Sequence, residues 1–199
     1  MLKICFFHQK GGTGKSTLAM ACALYAAQQQ QRVMLVDVDN QGTATQWWQL
    51  HAPTLQHLPL QVRGQLQESL PDLLPRLADH FDLCFIDAPP SLTQNTLQML
   101  QGCDALIIPT RPSPPDLWAL ERLALLLHTE PYAKLSHLLV FNQHQGEDLA
   151  PLRQLPAVAS LTQADEAIPY HPAFAALYLG KPLPSALNRM MGTLLAAFL

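Results

Sequence analysis

Short apolar runs alternate along the chain with longer segments in which apolar residues recur at helical spacing. The short runs predict strands and the longer segments predict helices between them. This order is typical of βαβ units, so we expect an α/β protein with a mostly parallel, twisted sheet and helices on both faces. Strands are predicted at residues 3–8, 32–37, 60–63, 83–87, 105–109 and 137–142, with a further short strand at 158–161.

The helices are less sharply bounded than the strands. The sequence predicts helices at residues 16–31, 66–80 and 116–128, whereas residues 52–64 read as irregular apart from the weak strand. Prolines concentrate between residues 109 and 115 and predict a rigid loop at the edge of the sheet. With 199 residues, the chain is long enough for one substantial core, and we expect residues 1–199 to form a single domain.

Composition narrows the class of protein. Apolar residues make up 49% of the chain and charged residues 14%, but no stretch approaches the roughly 20 uncharged apolar residues of a membrane span. The N-terminus enters a strand without the segments of a secretory signal, so we expect a cytoplasmic protein. The net charge of −3 argues against a broadly basic nucleic-acid surface. Neither the four isolated cysteines nor the eight scattered histidines have the spacing of a metal site.

The most informative segment follows the first strand directly. Residues 10–17 read Lys-Gly-Gly-Thr-Gly-Lys-Ser-Thr and precede a predicted helix. A glycine-rich turn lets backbone N–H groups surround an anion, and the helix N-terminus points its positive end at the same place. A lysine adds a point charge, and a hydroxyl can bind Mg²⁺. These features predict a loop for the phosphates of a nucleoside triphosphate, made of Gly11, Gly12, Thr13, Gly14, Lys15, Ser16 and Thr17.

Carboxylates end two other predicted strands. Asp37 and Asp39 lie at the end of the second strand, and Asp87 ends the apolar run Leu83–Asp87 in the form of a Walker B element. In a parallel sheet these ends lie beside the phosphate loop, where carboxylates can hold Mg²⁺ or the attacking water. We therefore predict that Asp87, Asp37 and Ser16 bind magnesium. For Asp37 and Asp39 the alternative is the capping of a turn.

The octet departs from the ordinary phosphate loop, because Gln9 stands where that motif has its first glycine. With its second lysine, Lys10, it resembles the ParA/MinD family of P-loop ATPases, and the two carboxylate segments follow in the family's order. The resemblance implies that Lys10 reaches the phosphates of a partner subunit in a nucleotide-sandwich dimer, and that Asp39 acts on the hydrolytic water. It also implies that Asn142 reads adenine, that Pro169 packs on the base, and that residues 109–116 line the dimer interface.

By the same resemblance, the expected protein is a Mg²⁺-dependent ATPase, like the short ParA proteins, that forms an ATP-bound homodimer and positions a cargo. A ParB-like or adaptor protein would stimulate hydrolysis, and the dimer would bind nonspecifically to nucleoid DNA. The chain offers few late basic residues for DNA: Arg153, Lys181 and Arg189.

Two other functions stay open at this stage. A MinD-like membrane ATPase would use one face of the last helix, although packing of that face on its own domain is the alternative. A metabolic P-loop enzyme of the dethiobiotin-synthetase type would share the fold and need a cosubstrate. The face in question carries Leu187, Met190, Met191, Leu194, Leu195 and Phe198.

Overall fold

The computed structural model of the protein describes residues 1–64 and 69–199. The strands of these residues are β1 (Leu2–Phe6), β2 (Val33–Asp37), β3 (Leu60–Arg63), β4 (Leu83–Asp87), β5 (Ala105–Thr110) and β6 (Ser136–Phe141). They form one sheet in the order β3-β2-β4-β1-β5-β6, and every neighbouring pair is parallel. The predicted α/β class with a mostly parallel sheet is confirmed.

Helices cover both faces of this sheet. They are α1 (Lys15–Gln28), α2 (Thr43–Leu55), α3 (Leu70–Leu77), α4 (Gln94–Gln101), α5 (Pro114–Trp118), α6 (Glu121–Leu127), α7 (Ala150–Arg153), α8 (Pro156–Ala159), α9 (Pro172–Leu177) and α10 (Ser185–Ala196), with a 3-10 turn at Tyr132–Lys134. Two apolar clusters result. One lies between the sheet and α1, α2 and α10, and the other lies between the sheet and α3, α4 and α6.

The central strands are apolar at successive positions because both faces of the sheet are covered. In β1, Ile4 and Phe6 belong to one apolar cluster, while Cys5 belongs to the other. Alternate side chains of a strand point to opposite faces, so a strand buried on both sides needs apolar residues throughout. This arrangement fixes the strands rigidly and holds their carboxyl ends at one edge of the sheet.

The register of β2, β4 and β1 brings the candidate residues together. Asp37 at the end of β2 is the register partner of Asp87 at the end of β4, and Phe6 of β1 pairs with Asp87 on the other side. The phosphate loop leaves β1 at this point. The predicted proximity of the carboxylates and the loop is therefore present in the fold.

Three predicted elements differ from the structure. Residues 158–161 are not a strand, because α8 covers the first part of them, although residue 163 forms an isolated bridge with β6. The helix predicted at 116–128 is divided into α5 and α6. Of the helix predicted at 66–80, α3 forms the middle, and residues 66–68 lie outside the described residues.

Residues 52–64 are more regular than predicted. Helix α2 continues through Pro53 to residue 55 before the strand β3 begins. Contacts to a distant segment hold this helix: the Trp47 Nε1–H donates to the Leu177 carbonyl (3.0 Å), and His51 Nε2 lies 3.0 Å from the Tyr178 carbonyl oxygen. Such tertiary contacts are invisible to a local pattern, and they override the helix-breaking tendency of proline.

The apolar face of the C-terminal helix is covered by the domain itself. Helix α10 packs on α1, and its Leu187, Met191, Leu194 and Leu195 are buried in the core. Met190 and Phe198 are partly buried against the same cluster. Packing of this face on its own domain is thus what the structure shows. Among the described residues, no helix has the length and apolar character needed to cross a membrane.

Candidate nucleotide-binding site

The phosphate loop has the backbone conformation of an anion-binding turn. Gly12 and Gly14 have φ angles of +77° and +98°, which residues with a side chain rarely adopt. A Cβ on Gly14 would also lie 2.1 Å from Asn142 Nδ2. Within the described part of the chain, no N–H of residues 11–17 donates a hydrogen bond. These free donors at the start of α1 are what a phosphate group needs.

Two amide side chains hold the loop from the side of β6. Asn142 Nδ2 donates to the Thr13 carbonyl (2.7 Å), and Gln143 Nε2 donates to the Gly12 carbonyl (2.7 Å). Asn142 is almost fully buried, and Gln143 has a positive φ of 59°. Because the Thr13 and Gly12 carbonyls accept these hydrogen bonds, the loop is held in one conformation. The role of Gln143 was not predicted, and its only signal in the sequence is its position next to Asn142 at a strand end.

The Lys15 side chain is hydrogen-bonded to the backbone of Lys10. The Lys15 side chain is buried, and its Nζ donates to the Lys10 carbonyl at 3.1 Å. Burial lowers the pKa of Lys15, while the charges of Asp87 and Asp39 act in the opposite sense. The Lys10 residue itself is exposed. One lysine therefore lies inside the site and the other at its mouth.

Three oxygens of the two buried carboxylates, Asp37 and Asp87, have no hydrogen-bond partner among the described residues. Asp37 accepts hydrogen bonds at Oδ2 from the Thr45 N–H (2.8 Å) and hydroxyl (3.0 Å), but its Oδ1 has no partner in the described residues. Neither oxygen of Asp87 has one. Burial raises the pKa of Asp87 to about 7; the Ser16 hydroxyl and Lys15 lower it, and Asp37 contributes in the same sense as burial. A buried carboxylate oxygen without a protein partner is a position where a metal ion or a water molecule can bind.

The donor set fits Mg²⁺. This ion prefers oxygen ligands and usually binds through one or two carboxylates together with phosphate oxygens and water. Asp87, Asp37 and the Ser16 hydroxyl would hold it, and the ion would neutralise charge on bound phosphates. Among residues 1–64 and 69–199, no cluster of three or more His, Cys, Asp or Glu side chains is placed to bind a metal by itself.

Asp87→Asn is expected to stabilise the nucleotide-free protein at high pH. The folded pKa of Asp87 is about 7, above its ordinary value of 3.8, so the carboxyl stabilises the fold most when protonated and loses this contribution as the pH rises through 7. The amide does not ionise. In urea unfolding, the advantage of Asp87→Asn should be about 1–2 kcal/mol larger at pH 8 than at pH 5.5.

Asp82→Asn is the control, because the pKa of Asp82 is shifted in the opposite direction. Hydrogen bonds from Arg32 lower that pKa to about 2. Asp82 therefore contributes stability that is lost only as the pH falls toward 2, below both test conditions. Its replacement should lower the free energy of unfolding equally at pH 5.5 and pH 8. If Asp87→Asn changed the free energy of unfolding equally at the two pH values, the raised pKa of Asp87 would be contradicted.

Asp39 lies at the same edge but is less enclosed. It is half-buried, and its Oδ1 accepts a hydrogen bond from the Gln41 N–H at 2.9 Å. This is the turn-capping contact considered as the alternative role. Its charge nevertheless acts on the pKa of both Lys15 and Asp87. The position suits action on a water near the terminal phosphate, and that role stays a prediction.

A pocket of about 210 Å³ opens beside the phosphate loop, at the point where α1 begins. Asn142 and Pro169, the two residues predicted to contact the base, both line it, together with Gly14 and Thr17. The Tyr178 hydroxyl lies 2.7 Å from the Thr17 hydroxyl. Adenine recognition by Asn142 stays a prediction, since the structure uses its amide nitrogen on the loop. The pocket is further lined by Leu18, Gln143, Tyr170, His171, Pro172, Phe174, Ala175 and Tyr178.

The proline-rich loop lies against the phosphate loop. Arg111 binds Asp116 through two hydrogen bonds (2.9 and 3.1 Å), and Ser113 donates to the same carboxylate. Burial raises the pKa of Asp116, but the bonds from Arg111 and Ser113 outweigh it, and the pKa lies below its ordinary value. A Cβ on Gly12 would be 3.8 Å from Arg111 Nη1. Residues 109–116 are thus ordered beside the loop, and their place in a dimer interface stays a prediction.

The basic residues near the C-terminus, Arg153, Lys181 and Arg189, differ in whether their side chains are accessible for binding DNA. Arg153 donates to the carbonyls of Ala164 and Asp165 (3.0 Å each) and lies over the Phe141 ring, 5.5 Å from its centroid. Arg153 therefore stabilises the fold. Lys181 and Arg189 are exposed, which leaves them as the late basic side chains accessible to a DNA backbone.

The fold and the loop define a class of protein: a P-loop nucleotide-binding protein. Comparison with known proteins agrees. A family model described as an AAA domain matches residues 1–62. The chain is 35% identical over 153 residues to the chromosome-partitioning ATPase Soj of Thermus thermophilus, covering 64% of this chain and 60% of that protein. It is 37% identical over 119 residues to the maintenance of carboxysome distribution protein A of Gloeobacter kilaueensis, covering 57% and 51%.

A solved structure extends the likeness to the whole fold. The chain superposes on the ATP complex of an aspartate-to-alanine variant of Cyanothece McdA with a TM-score of 0.79 and 19% identity, covering 99% of this chain and 96% of that one. These likenesses support the resemblance of the motifs to the ParA/MinD family of P-loop ATPases. The chain spans about half to three fifths of the length of the two relatives matched by sequence.

Proposed function

We propose that residues 1–199 act as a single ATPase domain that hydrolyses ATP to ADP and phosphate with Mg²⁺ and switches between a free and an ATP-bound dimeric form. The observation that carries the proposal is the convergence, at one sheet edge, of free loop N–H groups, the buried Lys15 and the unpartnered oxygens of Asp87. These are the parts that phosphoryl transfer requires: an anion cradle, a fixed cation and a place for the metal.

Each residue has a separate task in this proposal. Lys15 binds the β- and γ-phosphates, Ser16 and Asp87 hold Mg²⁺ with support from Asp37, and Asp39 orients the attacking water. Lys10 completes the site of the second subunit, which its exposure at the mouth of the loop allows. Hydrolysis then depends on dimerisation, so a single subunit should turn over slowly.

The proposed task of the switch is to position a cargo in the cytoplasm. Relatives matched by sequence are named for chromosome partitioning and for carboxysome distribution. We propose that the ATP-bound dimer binds nucleoid DNA nonspecifically, and that a ParB-like or adaptor protein on the cargo stimulates hydrolysis and release. Exposed Lys181 and Arg189 support a DNA contact, since dimerisation doubles their number. Membrane binding has less support, because the apolar face of α10 is buried.

DNA binding by the purified protein tests this proposal. The assay compares protein without nucleotide, with ADP and with ATP, at about 50 and 200 mM salt. We expect binding only with ATP, and a loss of at least about tenfold in affinity at the higher salt, because displaced counterions oppose contacts to phosphates. The variant Lys181→Ala/Arg189→Ala should bind more weakly.

Arg122→Ala is the matched control. Arg122 is an exposed arginine on α6, and α6 packs on the opposite face of the sheet from α10. Its loss should leave DNA binding unchanged. Absence of DNA binding in every nucleotide state would reject the nucleoid part of the proposal and leave the ATPase part to be judged by phosphate release. ATP-dependent binding to anionic liposomes, lost on removal of residues 187–199, would favour the MinD-like alternative.

A further inference from the structure

His8 occupies the short segment between β1 and the phosphate loop. Its side chain is fully buried, and its Nδ1 accepts a hydrogen bond from the Lys10 N–H at 2.9 Å. A backbone N–H can only donate, so Nδ1 carries no proton and the ring proton is on Nε2. The imidazole thus acts here as a hydrogen-bond acceptor for the first residue of the loop.

The Lys10 peptide is held on both sides. His8 accepts from its N–H, and the Lys15 ammonium donates to its carbonyl at 3.1 Å. The side chain of Lys10 remains exposed. When phosphates bind, the Lys15 ammonium has to turn toward them, and the contact to the Lys10 carbonyl is then lost or weakened. The bond to His8 does not involve the ammonium, so it can hold the Lys10 N–H before and after phosphates bind.

The surroundings of the ring keep it in this role. Burial lowers the pKa of His8 to about 4, with Asp116 opposing this shift and Lys15 and Arg111 adding to it. The ring is therefore neutral across the physiological range. Asp116 and Arg111 belong to the proline-rich loop, so charges of that loop as well as Lys15 act on His8.

We propose that His8 is a positioning residue for Lys10: its Nδ1 fixes the Lys10 peptide so that the exposed ammonium can reach the nucleotide of a second copy of this chain. The inference rests on the proposed ATPase function, because Lys10 has its task only in the ATP-bound dimer. A side chain that merely fills space at position 8 would serve the core equally well but would leave Lys10 free to rotate.

Two substitutions separate positioning from space filling. Asn at position 8 can accept the N–H of residue 10 through its own oxygen, as in an Asx-turn, whereas Leu fills the space without an acceptor. The measurements are kcat, the Kd of the monomer for ADP, the ATP-dependent dimer fraction and the thermal midpoint. We expect His8→Leu to lower kcat about tenfold, as the loss of one hydrogen bond allows, while the Kd for ADP changes less than about threefold. His8→Asn should keep kcat within about threefold of the parent protein.

A double-mutant cycle with Lys10→Ala gives the decisive readout. If His8 acts through Lys10, His8→Leu should have no further effect on kcat in the Lys10→Ala background. Independent, multiplicative losses would overturn the inference. So would equal losses in His8→Leu and His8→Asn with lowered thermal midpoints, which would show a packing role. If His8→Leu does not fold, His8→Met replaces it in the same cycle.

The result for the parent protein distinguishes the two proposals. If the parent protein hydrolyses ATP and His8→Leu has a normal kcat, only the role of His8 is rejected. Parent protein without ATP hydrolysis at any concentration that permits dimers would reject the proposed function and the positioning role with it.

Discussion

Lys15→Ala is expected to remove nucleotide binding, with Kd values for ATP and ADP raised at least about a hundredfold. The Lys15 ammonium is the buried cation of the loop, and the neighbouring backbone N–H groups donate no hydrogen bond within the described residues. Truncating one partner of a buried charge pair costs about 2–5 kcal/mol, and every 1.4 kcal/mol is a tenfold change in affinity. Titration of a fluorescent ATP analogue into the nucleotide-free protein measures the effect.

Lys10→Ala is the natural control for this measurement. It removes the other lysine of the octet, which is exposed whereas Lys15 is buried. The monomer should therefore bind ADP almost as well as the parent protein, while the ATP-dependent dimer is weakened. Comparable loss of ADP binding in both variants would contradict the separate roles given to the two lysines.

The part of the site that could be predicted is the part carried by strand ends. In a parallel sheet, residues that follow different strands meet at one edge whatever the loops do. Asp37, Asp87 and the loop after β1 came together for this reason, and the register pair of the two aspartates confirms it. The apolar runs that form the strands are visible because these strands are buried on both faces.

The residues that were missed act through contacts between distant segments. Gln143 Nε2 donates to the Gly12 carbonyl, and the Tyr178 hydroxyl lies 2.7 Å from the Thr17 hydroxyl. Each is far from the octet in sequence, and each belongs to a residue type that is common on any surface. No local pattern distinguishes such a side chain from a solvated one, so only the folded chain reveals it.

The errors in secondary structure have the same origin. Helix α2 persists through Pro53 because Trp47 and His51 contact the carbonyls of Leu177 and Tyr178 at the C-terminal end of α9. The apolar residues at 158–161 formed α8 and a turn rather than a strand, since Pro156 starts a helix well and the β6 edge accepts only a single bridge from residue 163. Short apolar runs fit either structure, and tertiary contacts decide between them.

Asp39→Ala is expected to uncouple ATP binding from hydrolysis. The variant should bind ATP with near-normal affinity, because the loop, Lys15 and the metal ligands are untouched. Without a carboxylate to orient the water, kcat should fall at least about a hundredfold, the usual contribution of a positioned general base. Dimers bound to ATP should then accumulate, which size-exclusion chromatography with ATP and Mg²⁺ detects.

Asp39→Asn separates this role from the capping of the turn. The amide oxygen can still accept the Gln41 N–H that Oδ1 of Asp39 accepts at 2.9 Å, so the turn is retained while the charge is lost. If the carboxylate serves the water, Asp39→Asn should be as slow as Asp39→Ala and should accumulate dimers in the same way. Normal hydrolysis by Asp39→Asn would reassign Asp39 to the turn. The hydrolytic water would then have to be positioned by another group at this edge. The first to test would be the two oxygens of Asp87 and Oδ1 of Asp37, which are buried and have no partner among the described residues.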